Sequence, residues 1–347
     1  MTRIFVIAEA GVNHNSNFDI ACALIDIAQR CGADAVKFQT FRAEDLVTAE
    51  ARAAKYQTRN AGATRQFDML RKLELPADWH IRLKRHAKFR GIEFFSTPFS
   101  ESAIDLLVKV GVKRLKLPSG EITNKPLLQY AARTGLPLIV STGMATLEEV
   151  RVAIGWIMAV WKSQGGDGIT EGRLCVLHCT SNYPASADTL NLRAITTLAV
   201  ELGMEVGYSD HSEGATAAIA AVALGATVIE KHITFDREAA GPDHLASSNE
   251  SEFAIYVQAI RDATQMMGNG IKVPNAAEMD TLSVARRSLV AARNLTAGNV
   301  LAVIDLAILR PSGGLPPWER DNLVGQTLIK DVHAGQQLAW SDFKDSP

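Results

Sequence analysis

Cysteine, aromatic residues and net charge are all in short supply. Four cysteines in 347 residues, Cys22, Cys31, Cys175 and Cys179, form no C-x-x-C pair. That excludes a disulfide scaffold or a zinc ribbon, and it predicts free thiols, mostly buried, in a reducing cytoplasm. Aromatics make up 6% of the chain and the formal net charge is −2. Neither a base-stacking surface nor a global field for gripping nucleic acid is expected, although a focused basic pocket stays open. No apolar run approaches the ~20 residues of a membrane span. The amino end, MTRIFVIAEAGVNHN, places Glu9 and Asn13 where a signal peptide would continue its apolar stretch. GxxxxGK[ST], a GxGxxG after the first strand and G-x-S-x-G are all missing, so a triphosphate loop, a dinucleotide fold and a serine-hydrolase elbow are disfavoured.

What is present is a repeated pattern. Hydrophobic residues make up 47% of the chain, enough for a large core. Eight short apolar runs occur at 4–10, 34–39, 92–98, 114–120, 137–143, 174–179, 204–210 and 226–232. They are continuous rather than alternating, as strands covered on both faces are. Amphipathic helical segments separate them at 18–31, 78–90, 101–110, 146–161, 189–202 and 214–224, and a last one lies near 250–268. Thr146 and Glu149 have capping-box spacing. Eight such units in about 265 residues predict a closed (β/α)₈ barrel over 1–268. The polar stretch 42–77 is an excursion after the second strand, serving as a lid or an interface arm. A linker over 269–283 precedes a small module at 284–347 made of short strands. Within it LTAGNVLAVIDL (295–306) echoes VHAGQQLAWSDF (332–343). So small a module is expected to lean on another surface.

In a parallel barrel, polar groups ending the strands gather at one mouth. Here they are Glu9, Lys37, Gln39, Thr97, Lys116, Ser119, Glu121, Ser141, His178, Ser209, Asp210, His211, Glu230 and His232. Glu9, His211 and His232 end the first, seventh and eighth runs, adjacent on closure, so two imidazoles and a carboxylate can hold a divalent ion. The alternative is histidines that only hydrogen-bond loops. Lys37 and Lys116 with nearby hydroxyls suit a phosphate or carboxylate, unless they are spent in salt bridges such as Lys116 with Glu121. NHN at 13–15 either shapes ligand contacts or serves as turn and cap. Asp243, after Gly241-Pro242, is expected at a turn facing the mouth or solvent.

These stretches resemble the sialic acid synthase family. The match runs through IAEAGVNHN (7–15), VKFQTF (36–41), YQTRNAG (56–62), FFSTPF (94–99), KLPSGEITN (116–124), STGM (141–144), LHCTSNYP (177–184), GYSDHSEG (207–214), IEKHITFDR (229–237) and GPDHLAS (241–247). RRSLVAAR (286–293) and LRPSGG (309–314) resemble the family's small antifreeze-like (SAF) module. The resemblance implies an N-acetylneuraminate synthase-like transferase. Such an enzyme condenses phosphoenolpyruvate with open-chain N-acetylmannosamine, or for relatives a 2,4-diacetamido-2,4,6-trideoxyhexose leading to legionaminate or pseudaminate. It further implies Mn²⁺ or Mg²⁺ (Co²⁺ as a third choice) on His211 and His232, with Glu9 polarising the site. Lys37, Thr97, Lys116, Ser119 and Ser141 would hold phosphoenolpyruvate, Glu121 would orient the water or shuttle its proton, and Asp243, Tyr183, Gln39 and Ser209 would line the reacting region. Asn60 matches more weakly, and Arg310 would reach the partner's sugar in a cytoplasmic homodimer. After GPDHLAS, the stretch SNESE replaces the family's proline turn. Rival readings are a Schiff-base lyase using Lys116 or Lys231, and a non-catalytic sugar- or anion-binding barrel.

Overall fold

The structure is a computed structural model and describes residues 3–54, 57, 58, 62, 64–165 and 172–344. It divides into two compact units, Met1–Asn269 and Gly270–Pro347.

In the first unit the eight apolar runs become eight strands: β1 (Phe5–Gly11), β2 (Ala35–Thr40), β3 (Glu93–Pro98), β4 (Leu115–Leu117), β5 (Leu138–Ser141), β6 (Leu174–Cys179), β7 (Glu205–Asp210) and β8 (Val228–His232). Their order is β3-β2-β1-β8-β7-β6-β5-β4, parallel throughout. β3 and β4 stand side by side and close the ring without a ladder. This is the (β/α)₈ barrel expected from the strand count. Buried residues such as Ile7, Val36, Leu117 and Ile229 form the core with the inner faces of the surrounding helices.

Helix ends follow local chemistry. Thr146 and Glu149 form the expected capping box of helix Leu147–Ser163. The SNESE stretch proves to be a second box, in which Asn249 and Glu252 satisfy each other's backbone amides at 3.0 Å and start helix Glu250–Met266. Each such cap contributes about 1 kcal/mol. Gly207 has a different task. A Cβ there would overlap the Val228 carbonyl oxygen and lie 2.5 Å from Leu177 Cδ2, so only glycine lets β6, β7 and β8 come together.

The excursion after β2 is less polar than its composition suggests. It carries helices Ala43–Leu46 and Gln66–Arg71. Its Met69, Leu70 and Leu73 bury with Val12, Phe41 and Ala43 in a small cluster apart from the main core.

In the second unit, β9 (Ser288–Ala291) pairs antiparallel with β10 (Leu306–Leu309). The internal echo has a structural counterpart. Each copy turns at a left-handed glycine, Gly298 (φ 85°) or Gly335 (φ 82°). Each ends on a buried aspartate, Asp305 or Asp342, that accepts the amide of Ala302 or Ala339 at 2.9 and 2.8 Å. Leu295 and Val332 bridge the copies. The segment expected to be a linker contains helix Met279–Ala285. Among the described residues no helix is long and apolar enough to cross a membrane, and all four cysteines are free.

Candidate active site

Side chains alternate along a strand, and that alternation sorts the strand-end residues into two groups. Glu9, Lys37, Gln39, Thr97, Lys116, Ser141, Ser209, His211, Glu230 and His232 turn inward and line one cavity of about 570 Å³. Ser119, Glu121, Tyr183 and Asp243 join them from the loops above. Asp210 and His178 turn outward. His178 Nε2 meets the Leu190 carbonyl at 2.7 Å, which removes it from the mouth. Asp210 accepts the Tyr256 hydroxyl at 2.9 Å and the Ser212 amide at 2.8 Å. Lys231 faces the same outer layer, 3.7 Å from Asp210, so it is absent from the cavity that a Schiff base would need. Asn60 lies outside the described residues. Arg310 sits exposed on the second unit.

The floor of the cavity is a balanced buried network. Lys37 Nζ lies 2.7 Å from Glu9 and 3.7 Å from Glu230, and Lys116 lies 3.3 Å from Glu230. Both lysines are thus engaged in salt bridges, the alternative weighed against anion binding, although with Glu9 and Glu230 rather than Glu121, which instead accepts Asn124 Nδ2 at 2.6 Å. Lys37 also donates to Thr97 Oγ1 at 2.8 Å, and Ser209 donates to Glu230 at 3.1 Å. Gln39 donates to Glu9 at 3.1 Å. Glu230 is central to this network, although motif comparison gave it no role. Burial alone would raise it, but Lys116 and Lys37 hold its carboxyl at about 2. Burial pushes Glu9 up to about 7, with Lys37 pulling the other way. Burial likewise lowers Lys116. Ser141 Oγ is buried with no hydrogen-bond partner, while Ser119 Oγ accepts the Gly143 amide at 2.9 Å. An unpaired buried hydroxyl in the same cavity as two ammonium groups is the arrangement an incoming anion would complete.

Beside this floor stand the two histidines. Their ring centroids are 5.3 Å apart, and Tyr183 packs 4.1 Å from His211 and 5.8 Å from His232. His211 Nδ1 meets the Thr180 carbonyl at 2.8 Å, a contact that places a proton there. Burial would lower the ring, but Cys179 and this carbonyl outweigh burial and raise it, so an ion would have to displace a proton from Nε2. His232 Nδ1 is buried without a partner, and burial together with His211 keeps that ring neutral, well below its usual range. Among the described residues no trio of His, Cys, Asp or Glu is arranged to hold an ion. Glu9 is committed to Lys37 and Gln39 rather than to the histidines. The side chains therefore fit a divalent ion as a two-imidazole half-site, to be completed by water or substrate oxygens.

Cys179 is the buried free thiol expected, and it also lines the cavity, 3.8 Å from His211 Nδ1. Burial would raise it, but His211 and Lys116 outweigh burial and lower it. Asp243 is pushed up to about 6 by burial, against the pull of His211 and Lys37. The NHN stretch turns away from this chemistry. Asn13 donates to the Ile233 carbonyl and to Ser247 Oγ, each at 2.9 Å, tying the first loop to the loop after β8.

The N,N'-diacetyllegionaminic acid synthase of Legionella pneumophila is 48% identical, over 98% of this chain and 94% of that protein. The Campylobacter jejuni enzyme of the same name is 40% identical, over 95% and 97%. A crystal structure of N-acetylneuraminic acid (sialic acid) synthetase from Leptospira borgpetersenii superposes with a TM-score of 0.69 at 32% identity, over 81% of this chain and 90% of that one. The NeuB family profile covers residues 24–272, and the SAF domain covers 286–344. A nonulosonic acid synthase barrel followed by an SAF domain accounts for both units, and the chain belongs to the NeuB family.

Proposed function

We propose that this enzyme is an N,N'-diacetyllegionaminate synthase. It condenses phosphoenolpyruvate with an open-chain 2,4-diacetamido-2,4,6-trideoxyhexose and water, giving the nine-carbon 2-keto acid and phosphate. This replaces the N-acetylmannosamine substrate favoured by motif resemblance, because both legionaminic acid synthases are more similar to this chain than the sialic acid synthetase is. The observation that carries the chemistry is the buried Lys37 and Lys116 pair, sharing one cavity with His211 and His232.

In the reaction, the methylene carbon of phosphoenolpyruvate forms a bond to the sugar aldehyde carbon. Water adds to the second carbon of phosphoenolpyruvate, and the bond from that carbon to the phosphate oxygen breaks. Lys37 and Lys116 hold the anionic groups and offset charge on the departing phosphate, with Thr97, Ser119 and Ser141 adding donors. Glu9, titrating near neutrality, is suited to exchange a proton with the attacking water or the new hydroxyl. Glu121 and Asp243 orient the aldehyde and sugar hydroxyls, and Tyr183 packs against the sugar. His211 and His232 would hold Mn²⁺ or Mg²⁺, which supplies Lewis acidity to the aldehyde oxygen. We further propose a cytoplasmic homodimer in which Arg310 of each copy completes its partner's sugar site.

The test is a panel of hexosamines with phosphoenolpyruvate and Mn²⁺, following phosphate release and product mass. The diacetamido sugar should be turned over at least about tenfold better than N-acetylmannosamine. In ¹⁸O-water the released phosphate should stay unlabelled, and label in phosphate would contradict the bond assignment.

A further inference from the structure

Beyond the ends of the strands the cavity changes character. The charged floor gives way to a wall of Leu46, Val47, Met69, Leu70, Leu73 and Phe99. All but Phe99 come from the excursion between β2 and β3. Floor and wall belong to one cavity. The wall has its own footing. Its residues pack on the small cluster described above, and the Glu74 carboxylate accepts the Ala43 amide at 2.8 Å. Ser16 Oγ donates to the Lys72 carbonyl from the neighbouring loop. Two polar side chains of the excursion share this lining: Gln57, whose Oε1 accepts the Ala54 amide at 2.9 Å, and Gln66, which opens helix Gln66–Arg71. The wall is thus largely apolar, and it lines the same cavity as the lysines and histidines where the carbon–carbon bond would form.

We infer that this wall is the specificity surface for the end of the sugar remote from its aldehyde. It receives the methyl group of a 6-deoxy carbon and of an N-acyl substituent in preference to a hydroxymethyl group. This assignment rests on the condensation proposed above. The aldehyde must lie beside the lysines and histidines to react, so the far end of a six-carbon chain leaves the floor and meets the wall. A methyl group there loses contact with water, whereas a hydroxyl finds no partner on Leu46 or Val47. Apolar pockets reject an added hydroxyl only modestly, so the expected preference is about 10- to 100-fold in kcat/KM.

A matched pair of sugars tests this: the 2,4-diacetamido-2,4,6-trideoxyhexose and its counterpart carrying a 6-hydroxyl, each with phosphoenolpyruvate and Mn²⁺. The full-length enzyme should prefer the deoxy sugar by about 10- to 100-fold, mainly through KM. Val47→Thr keeps the shape and adds a hydroxyl, and Leu46→Gln places an amide at the half-buried rim. Both should bring the preference down to a few-fold. The loss should fall on KM for the deoxy sugar while the hydroxylated sugar gains. A purely structural role would depress both sugars alike, and that result, or equal kcat/KM for the two sugars in the unaltered enzyme, overturns the inference alone. Turnover of neither sugar overturns the proposed reaction as well. Should a variant fail to fold, the preference of the unaltered enzyme still decides.

Discussion

Glu230→Gln is the substitution on which the account of the floor is most exposed. Glu230 is 3.3 Å from Lys116 and 3.7 Å from Lys37, and it accepts Ser209 at 3.1 Å. Its carboxyl is held at about 2 against an ordinary 4.5, which corresponds to about 3 kcal/mol of folding free energy. Because the folded value is depressed, that contribution is complete above about pH 4.5 and is lost as pH falls through about 2. Glutamine keeps the shape but leaves two buried ammonium groups facing Glu9 alone, so a loss of about 3–5 kcal/mol at neutral pH is expected. Burial already lowers Lys116, and in the variant it should shed its proton more readily, so the deficit should shrink as pH rises toward 10. Added inorganic phosphate should stabilise the variant more than the native protein, because an anion restores the missing charge. Urea unfolding at pH 7 and 9.5, with and without phosphate, reads all three effects. A deficit below about 1 kcal/mol, flat in pH and indifferent to phosphate, would refute the balanced-floor argument.

Three further outcomes follow from other parts of the barrel. Asp243 is pushed up to about 6 from 3.8 by burial, so folding binds its proton. About 3 kcal/mol of stability should therefore be present below about pH 3.8 and be lost as pH rises through about 6. Asp243→Asn should remove that slope from urea unfolding measured between pH 4 and 7, and an unchanged slope would show that the carboxyl is not desolvated. Gly207→Ala forces a methyl onto the Val228 carbonyl and Leu177 and should cost about 3 kcal/mol or more. A thermal midpoint within a degree of the native value would contradict that close approach. If His211 and His232 hold the proposed ion, EDTA dialysis should abolish phosphate release and Mn²⁺ should restore it. Mn²⁺ should also broaden the NMR signals of both imidazoles, and full activity after chelation would rule this out.

The fold was legible because its signals are local. Runs such as DAVKFQ and ATVIEKH are apolar throughout, as only strands buried on both faces need be, and eight of them leave few architectures. The site was partly legible for the same reason. K-x-Q in β2 and E-x-H in β8 point their members to one face, which predicts Lys37, Gln39, Glu230 and His232 in the mouth. Strict use of that alternation would also have excluded His178 and Asp210 at the start. Pairing across the barrel left no such trace. Nothing local distinguishes Glu121 from Glu230 as the partner of Lys116, because the choice depends on which strands face each other after closure. The wall formed by the excursion was hidden for another reason. Leu46, Val47, Met69, Leu70 and Leu73 are spread among Arg, Lys, Asp and Glu over two short helices and the residues just after them, too short for a helical stripe to stand out.

Alternation also explains how β7 and β8 carry two buried ionic groups without confusing them. The outward group, Asp210 with Lys231, is closed. Asp210 is met by Tyr208, Ser212, Tyr256 and Lys231, and Lys231 caps the Ser212 carbonyl. Such a group holds the loop that follows β7, and so holds His211, without offering a position to a ligand. The inward group, one residue away on each strand, stays open. Ser141 Oγ and His232 Nδ1 are buried and unpaired, in the same cavity as Glu230 and its lysines. Each unpaired buried polar atom costs about 1–3 kcal/mol, so a fold keeps two of them around one cavity only where something else completes them. If Tyr256→Phe loosened the outward group, His211 should lose its orientation while the floor stayed intact. KM for the sugar would then rise and binding of phosphate to Lys37 and Lys116 would not change. Equal loss of both would mean that the two groups are one network, and that alternation along the strands does not separate support from chemistry.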